Sequence, residues 1–285
     1  MSVSNVAIAG AAKPAAPAFA PDEPFAPSGI LKRHRTAITR TVAVAIFFAA
    51  WEWSVRGGGV NPLFLSSPSI VAQRLMEVFL DGSIWPHMAA SGEIAFWGFL
   101  FSVLVGVPLG TLMGRSRLAR DTLEPFIMAK YSSPTVAFLP LLIIWLGIGA
   151  PSKIALVFLG AVFVIIINTE VGVSTVDRRL IETARSFTAS ELQILIKVVA
   201  PAALPYIVAG MRLAVGRVLI MVVVAELYAA TAGLGYLIFQ AGASYDTAML
   251  FVGVTILAAT GIVLNSLLRG VERRAAPWVD HSTDR

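Results

Sequence analysis

Six stretches of this sequence are long and apolar enough to cross a bilayer, at about 37–55, 92–114, 125–149, 153–175, 205–229 and 247–269. A helix needs about 20 mostly apolar residues to span the hydrocarbon core of a membrane. In lipid every backbone amide must find its partner inside the protein, which leaves helices and closed barrels as the spanning structures. Uninterrupted apolar runs of this length select helices. Composition agrees: 57% of the 285 residues are hydrophobic and only 14% charged, where a soluble domain carries roughly 25% charged residues. The fold class is an all-α integral membrane protein with six transmembrane helices.

Charge sets the orientation. The chain holds 22 Lys and Arg against 17 Asp and Glu, a net +5. In a membrane protein such an excess marks the loops kept in the cytoplasm, so no nucleic-acid partner is expected. Sixteen of the 22 basic residues fall in the N-terminal tail (Lys32 to Arg35 among them), the second connection (Arg115, Arg117, Arg120), the fourth connection (Arg178, Arg179, Arg185, Lys197) and the C-terminal end. Arg56, Arg74 and Lys153 fall on the other side, and Lys130, Arg212 and Arg217 within spans. Both termini are therefore expected in the cytoplasm, with membrane lipid around the spans. There is no cysteine, and His34, His87 and His281 share no ligand spacing, so neither a metal site nor catalytic residues are expected. The phosphate-cradling G-x-x-x-x-G-K-[ST] is missing too; "GIGAPSK" at 147–153 lacks the second glycine before its lysine.

Residues 1–36 read as a disordered tail, with nine Ala and five Pro between Ala7 and Pro27; prolines at that spacing forbid a continuous helix. Residues 37–285 form the transmembrane domain. After the first span, "SSPSIVAQRLMEVFL" is expected to be a surface helix capped by Ser67, with Ile70, Val71, Leu75, Val78 and Phe79 on one apolar face. Pro134 and Pro140 should kink or unwind the third span, which makes it the expected wall of a translocation pathway. Ionisable groups at membrane depth are candidate functional sites. Arg217 could attract an anion or bond a neighbouring carbonyl, and Glu226 could serve a gate, a subunit contact or the solute. Lys130 is expected to snorkel. Asn168, Glu170 and Asn265 are expected to bond between helices, and the glycines at 106, 110, 114, 210 and 216 to mark close packing.

One polar segment interrupts the apolar sequence: "IETARSFTASELQILIKVVAPAALP", residues 181–205. Asp177 can cap its first helix. Glu182, Arg185 and Glu191 keep one face wet, while Leu180, Ile181, Ala184, Phe187, Leu192 and Ile196 supply an apolar side. Small residues (Thr183, Ala184, Ser186, Thr188, Ala189) let another backbone approach. Pro201 is expected to end the run and Pro205 to start the next span. The segment reads as a docking helix; the alternative is an amphipathic linker lying on lipid.

This segment resembles the E-A-A loop of bacterial ATP-binding-cassette importer permeases. Glu182, Thr183 and Ala184 stand for E-A-A, Thr188 stands where glycine is usual, and Val198, Val199, Ala200 and Pro201 follow. "PAALPYIVAGMRLAVGR" (201–217), "PLLIIWLGIG" (140–149), "AELYAATAGLGYLIFQA" (225–241) and "RGVERRAAPW" (269–278) look like the nitrate, sulfonate and taurine branch, so the likeness covers about residues 60–278. Two departures stand out: Thr188, which lacks glycine's freedom and points to a plain helix there, and Ile94, where relatives often carry arginine. The resemblance implies a type I ABC importer permease fold in the bacterial inner membrane, not an enzyme. Its implied partners are a second copy of the permease, a cytosolic ATP-binding-cassette ATPase dimer that binds ATP and Mg²⁺, and a periplasmic solute-binding protein; this chain itself would bind no cofactor. The implied cargo is a small, anionic solute such as nitrate, a sulfonate or taurine, with heteroaromatic vitamin precursors also carried by such permeases. Within the coupling loop, residues 177–204, the resemblance gives Glu182, Thr183, Ala184, Arg185, Ser186, Thr188, Ala189 and Pro201 to ATPase coupling. The candidate pathway residues are Pro134, Arg217 and Glu226.

Overall fold

Apolar runs set the helices, and prolines and polar turns set their ends. The structure, a computed structural model, describes residues 29–61 and 63–275. Helix α1 (Gly29–Arg56) takes in residues 29–36, which the sequence reading gave to the tail; the rest of that tail lies outside the described residues. Up to Ala49 the chain is one unit, and from Ala50 onward another, described next.

Helix α2 (Pro68–Leu80) starts after Ser67, but the Ser67 side chain does not cap it. Its hydroxyl meets Ser69 Oγ at 3.0 Å. Glu52 takes the capping role, accepting from Ser69 N at 3.0 Å and from Ser69 Oγ at 2.7 Å. Nor does α2 rest on the surface by all five expected apolar residues. Val71 and Val78 are buried against Leu234, Leu237, Val252 and Ile256, with Leu75 and Phe79 beside them, while Ile70 is exposed.

The core of the molecule is three long helices: α3 (Trp85–Arg115), then, after α4 (Arg117–Ser132) and α5 (Leu139–Leu146), α6 (Ala150–Ser174) and α9 (Ala200–Ala229). Between α6 and α9 lie α7 (Arg178–Ser186) and α8 (Glu191–Ile194); α10 (Leu234–Ala243) and α11 (Thr247–Ala275) complete the chain. The most extensive packing joins α3 to α6. Small residues recur every fourth position along α3, at Gly98, Ser102, Gly106, Gly110 and Gly114, which puts them on one face. A Cβ at Gly98 would lie 2.4 Å from Val157 Cγ1, and at Gly106 2.9 Å from Ile165 Cγ2. At Gly110 it would lie 2.6 Å from the Ile166 carbonyl oxygen, and at Gly114 2.6 Å from Val173 Cβ. Ser102 fits the same seam by turning its hydroxyl onto the Gly98 carbonyl at 2.7 Å and the Phe158 carbonyl at 3.2 Å. On α9, Gly210 meets Asn168 closely, but Gly216 has nothing within 4 Å and is exposed, so the packing expectation fails there.

Five helical stretches among the described residues are long and apolar enough to cross a membrane: Ile38–Arg56, Trp85–Arg115, Ala150–Ser174, Glu191–Tyr228 and Thr247–Arg274. The third stretch, 125–149, expected to be kinked or unwound by its prolines, is a broken pair bent by 96°, Arg117–Ser132 and Thr135–Leu146. Pro134 sits at the break, and Ser133 before it is extended (φ −84°, ψ 141°), the conformation a following proline favours. Pro140 falls in the first turn of α5, where its missing N–H leaves no hydrogen bond unmade. Lys130 is held locally. Its Nζ donates across the break to Thr135 Oγ1 at 3.0 Å and stands 4.8 Å from the centre of the Phe138 ring. Asn168 and Asn265 bond carbonyls of their own helices, Val164 and Gly261; of the three polar residues expected to bridge helices only Glu170 does, to Arg120 of α4.

The seam between α3 and α6 predicts its own failure. Gly110→Leu must push the α6 backbone away, and overpacking of this kind costs about 1–3 kcal/mol or more. The purified variant should show a lowered thermal midpoint and poor recovery. Gly92→Leu on the same helix, where a Cβ has nothing within 4 Å, should behave like the parent protein.

Candidate functional site

Helix α7 forms because Asp177 accepts from Arg179 N at 2.8 Å, satisfying one of the free amides of the first turn. It runs nine residues and stops at Ser186. The expectation of a plain helix through Thr188 is corrected here. Thr188 adopts φ 58°, the left-handed region that glycine occupies freely. Its N–H donates to the Arg185 carbonyl at 2.8 Å, and the Ala189 N–H to the Ala184 carbonyl at 3.2 Å. That pattern is the two-bond closure of a Schellman turn, with the usual apolar contact across it, since Ala184 and Ala189 both pack on the cluster of Val173, Ile194 and Val199. Threonine thus does glycine's work, held by neighbours that leave it no better choice.

After the turn, Ser190 and Gln193 form a reciprocal capping box that starts α8. Pro201 does not end this run. A π-helical turn, Leu195–Val199, joins α8 to α9 without interruption, with Ala200 N–H reaching back to the Leu195 carbonyl. Pro201 lies in the first turn of α9 and Pro205 inside it.

The structure sorts the expected loop residues by direction. Ile181, Ala184 and Ala189 face the body, whereas Glu182, Thr183, Arg185, Ser186 and Thr188 are exposed. Ser186 Oγ donates to the Glu182 carbonyl at 3.1 Å and Arg185 donates to Glu191 at 2.9 Å. Four large apolar side chains point outward: Leu180, Leu192, Ile196 and, at 80% exposure, Phe187. Glu191, read from the sequence only as one of the residues that keep a face wet, does more. In the structure it holds two arginines, Arg185 of α7 and Arg115 at the end of α3, 76 residues away in sequence. Between α7, the α3–α4 turn and the end of α6 lies a cleft of about 460 Å³, lined by Arg115, Arg117, Arg120, Arg178, Arg185 and Glu182 among others.

The candidate pathway residues do not converge. Pro134 is at the break between α4 and α5. Arg217 is exposed on α9, with no carboxylate in ion-pair range among the described residues, while Arg212 pairs with Glu272 of α11 at 2.9 Å. Glu226 is 1% exposed and closed inside the subunit. Its Oε1 accepts from Ser91 Oγ at 2.7 Å and its Oε2 from Gly235 N at 2.7 Å, while Ser91 Oγ accepts from Leu234 N. Buried Lys153 supplies the nearby positive charge. Gly233, with φ 128°, passes so near that a Cβ there would lie 2.3 Å from Glu226 Cδ. This knot joins α3, α9 and α10.

A family model described as binding-protein-dependent transport system inner membrane component matches residues 106–280. The chain belongs to that family. It is a multi-pass inner-membrane transport subunit rather than an enzyme, and its partners are an ATPase subunit and a solute-binding protein. The taurine transport system permease protein TauC of Escherichia coli (strain K12) is 36% identical over 241 residues, covering 82% of this chain and 87% of the relative. The putative aliphatic sulfonates transport permease protein SsuC of Bacillus subtilis (strain 168) is 35% identical over 234 residues, covering 82% and 85%. An inward-facing structure of the MetNI methionine ABC transporter matches with TM-score 0.56 at 22% identity, over 67% of this chain and 94% of that one. The type I importer permease fold expected from the sequence is the fold observed.

The loop geometry carries a test. A β-branched residue held at positive φ costs about 1–2 kcal/mol relative to glycine. Thr188→Gly should therefore raise amide-exchange protection over residues 184–190 and leave the rest of the molecule unchanged. Unchanged or lower protection would mean that the turn carries no such strain.

Proposed function

We propose that this chain is the membrane subunit of an importer for a small sulfonate or similar anion, and that it pairs with a second copy of itself. ATP and Mg²⁺ belong to a separate ATPase dimer, which grips α7. The coupling reading rests on one observation: the outer side of the α7–α8 loop carries large exposed apolar residues, Phe187 above all, amid arginines. Exposed apolar patches rimmed by polar groups mark protein or membrane contacts, and the ATPase partner of this family favours the first. Glu182, Thr183, Arg185, Ser186 and Thr188 share the exposed side with Phe187. Ala184 and Ala189 act from beneath, by holding α7 against the body, and Pro201 acts from the first turn of α9. The excess of Lys and Arg on this loop and at the chain ends supports placing the loop and both termini in the cytoplasm.

The anionic cargo rests on the relatives' names and on Arg217. About 26 Å of α9 separates Arg217 from the start of that helix at Ala200, and about 18 Å from its end at Ala229, so it sits at membrane depth. An arginine facing lipid there costs about 2.5–3.5 kcal/mol. The exposed stripe of Leu213, Gly216, Arg217 and Ile220 is then better suited to a hydrated pathway or to the second permease than to lipid.

Two variants separate these points. Phe187→Glu should fold normally yet lose about 2 kcal/mol or more of ATPase binding, as a contact anchor does, read by co-purification and by ATP hydrolysis in proteoliposomes. Arg217→Gln should keep the ATPase and cut uptake of taurine-class sulfonates about tenfold or more. Normal ATPase binding by the first would sink the docking role of α7; normal sulfonate uptake by the second would sink the anionic reading.

A further inference from the structure

The arginine-lined cleft lies between α7 and the α3–α4 turn, and Glu182 and Arg185 reach both it and the exposed side of α7. Ile181, from the face that packs on the body, helps line it, whereas Leu180 and Phe187 do not. Three separate segments supply its five arginines: Arg115 from the end of α3, Arg117 and Arg120 from α4, and Arg178 and Arg185 from α7. The carboxylates that answer them are Glu182 in the cleft, Glu191 against Arg115 and Arg185, and Glu170 against Arg120. Three acids for five guanidinium groups leave an excess of two positive charges. Arg117 and Arg178 have no carboxylate within 4.0 Å among the described residues. Arg120 keeps a buried Nε–H that no acceptor satisfies. Like charges drawn together in a concave site repel, and a buried donor without a partner is costly. The repulsion is relieved if the cleft holds an anion, and guanidinium groups suit the paired oxygens of an oxyanion.

We propose that this cleft binds a tetrahedral oxyanion of the sulfate or phosphate class, and that the bound anion ties α7 to the α3–α4 turn. The same chemistry could arrive as a free ion or as the phosphate of an anionic phospholipid. A small anion is favoured over an acidic side chain of the ATPase because the cleft lies between α7 and its own subunit. Occupancy would stiffen the one helix through which an ATPase acts, whatever solute the permease carries.

The test uses the intact permease–ATPase complex in neutral detergent. Sulfate and phosphate should raise its thermal midpoint saturably, while chloride at equal ionic strength does not. The double variant Arg117→Gln, Arg178→Gln should weaken the apparent affinity about tenfold or more, the loss expected when a charged hydrogen bond goes. In anion-free buffer the same variant should be at least as stable as the parent, since repulsion has been removed. Arg269→Gln, near the end of α11, should change neither. If the double variant does not fold, Arg117→Lys with Arg178→Lys must weaken binding instead. Nanodiscs then identify the source. A sulfate response present in phosphatidylcholine and lost in phosphatidylglycerol makes the occupant a lipid headgroup; a response in both makes it a free anion. The proposal is overturned if there is no saturable response, or an equal response in the variants. A response in the free permease that disappears on ATPase binding also overturns it, because the cleft would then belong to an acidic side chain of the ATPase.

Discussion

Everything in the membrane body depends on how closely α3 can approach α6. Lipid tails are as apolar as leucine, so helices gain little by hiding apolar surface from one another and associate through packing and hydrogen bonds. The stripe from Gly98 to Gly114 removes side chains over four helical turns, and the branched residues of α6 fill the space: Val157, Ile165 and Val173 all press into it. Once that pair is set, α9 packs on α6 by the same device, with Gly160 against Met221 and Gly172 against Tyr206. The position of the loop follows, because it is strung between the ends of those two helices.

Polar groups act at the two ends of this body rather than along it. At one end a buried carboxylate, Glu226, gathers the backbone of the turn into α10 and the hydroxyl of Ser91. At the other, Glu191, Glu170 and Glu272 each hold an arginine from a different helix. Partly exposed ion pairs of this kind stabilise little individually, about 0–1 kcal/mol. Their effect here is on geometry: they decide which helix end stands next to which. A buried glutamate with both oxygens satisfied fixes a single arrangement in the same way, since any other would strand it.

The long apolar spans and the polar loop were legible because each depends on local composition. Apolar length announces a crossing, and Asp177 before Arg178 announces a helix start. What could not be read depends on partners distant in sequence. Glu52 caps α2 across 17 residues, displacing the nearer Ser67. Glu191 looks like a loop-edge charge until Arg115 folds back to it. Gly216 resembles Gly210 in sequence, and only the packing tells them apart. The turn at Thr188 failed for another reason: intrinsic preference argued against positive φ, but two backbone hydrogen bonds and the Ala184–Ala189 contact outweighed it. The π turn ahead of Pro201 also escaped prediction, since proline normally ends a helix and here the wider turn lets the backbone run on.

That unbroken run has a consequence of length. From Glu191 to Tyr228 the helix counts 38 residues, which at 1.5 Å each makes a rod of about 57 Å. The oily interior of a bilayer is only about 30 Å thick. Nearly half of the rod must stand clear of it, and with the prolines and the π turn near one end, much of the overhang falls on the side of the loop. The extra length gives α7 a wall to lean on: Ile194, Val199 and Ala203 of the rod lie under Ile181, Ala184 and Ala189.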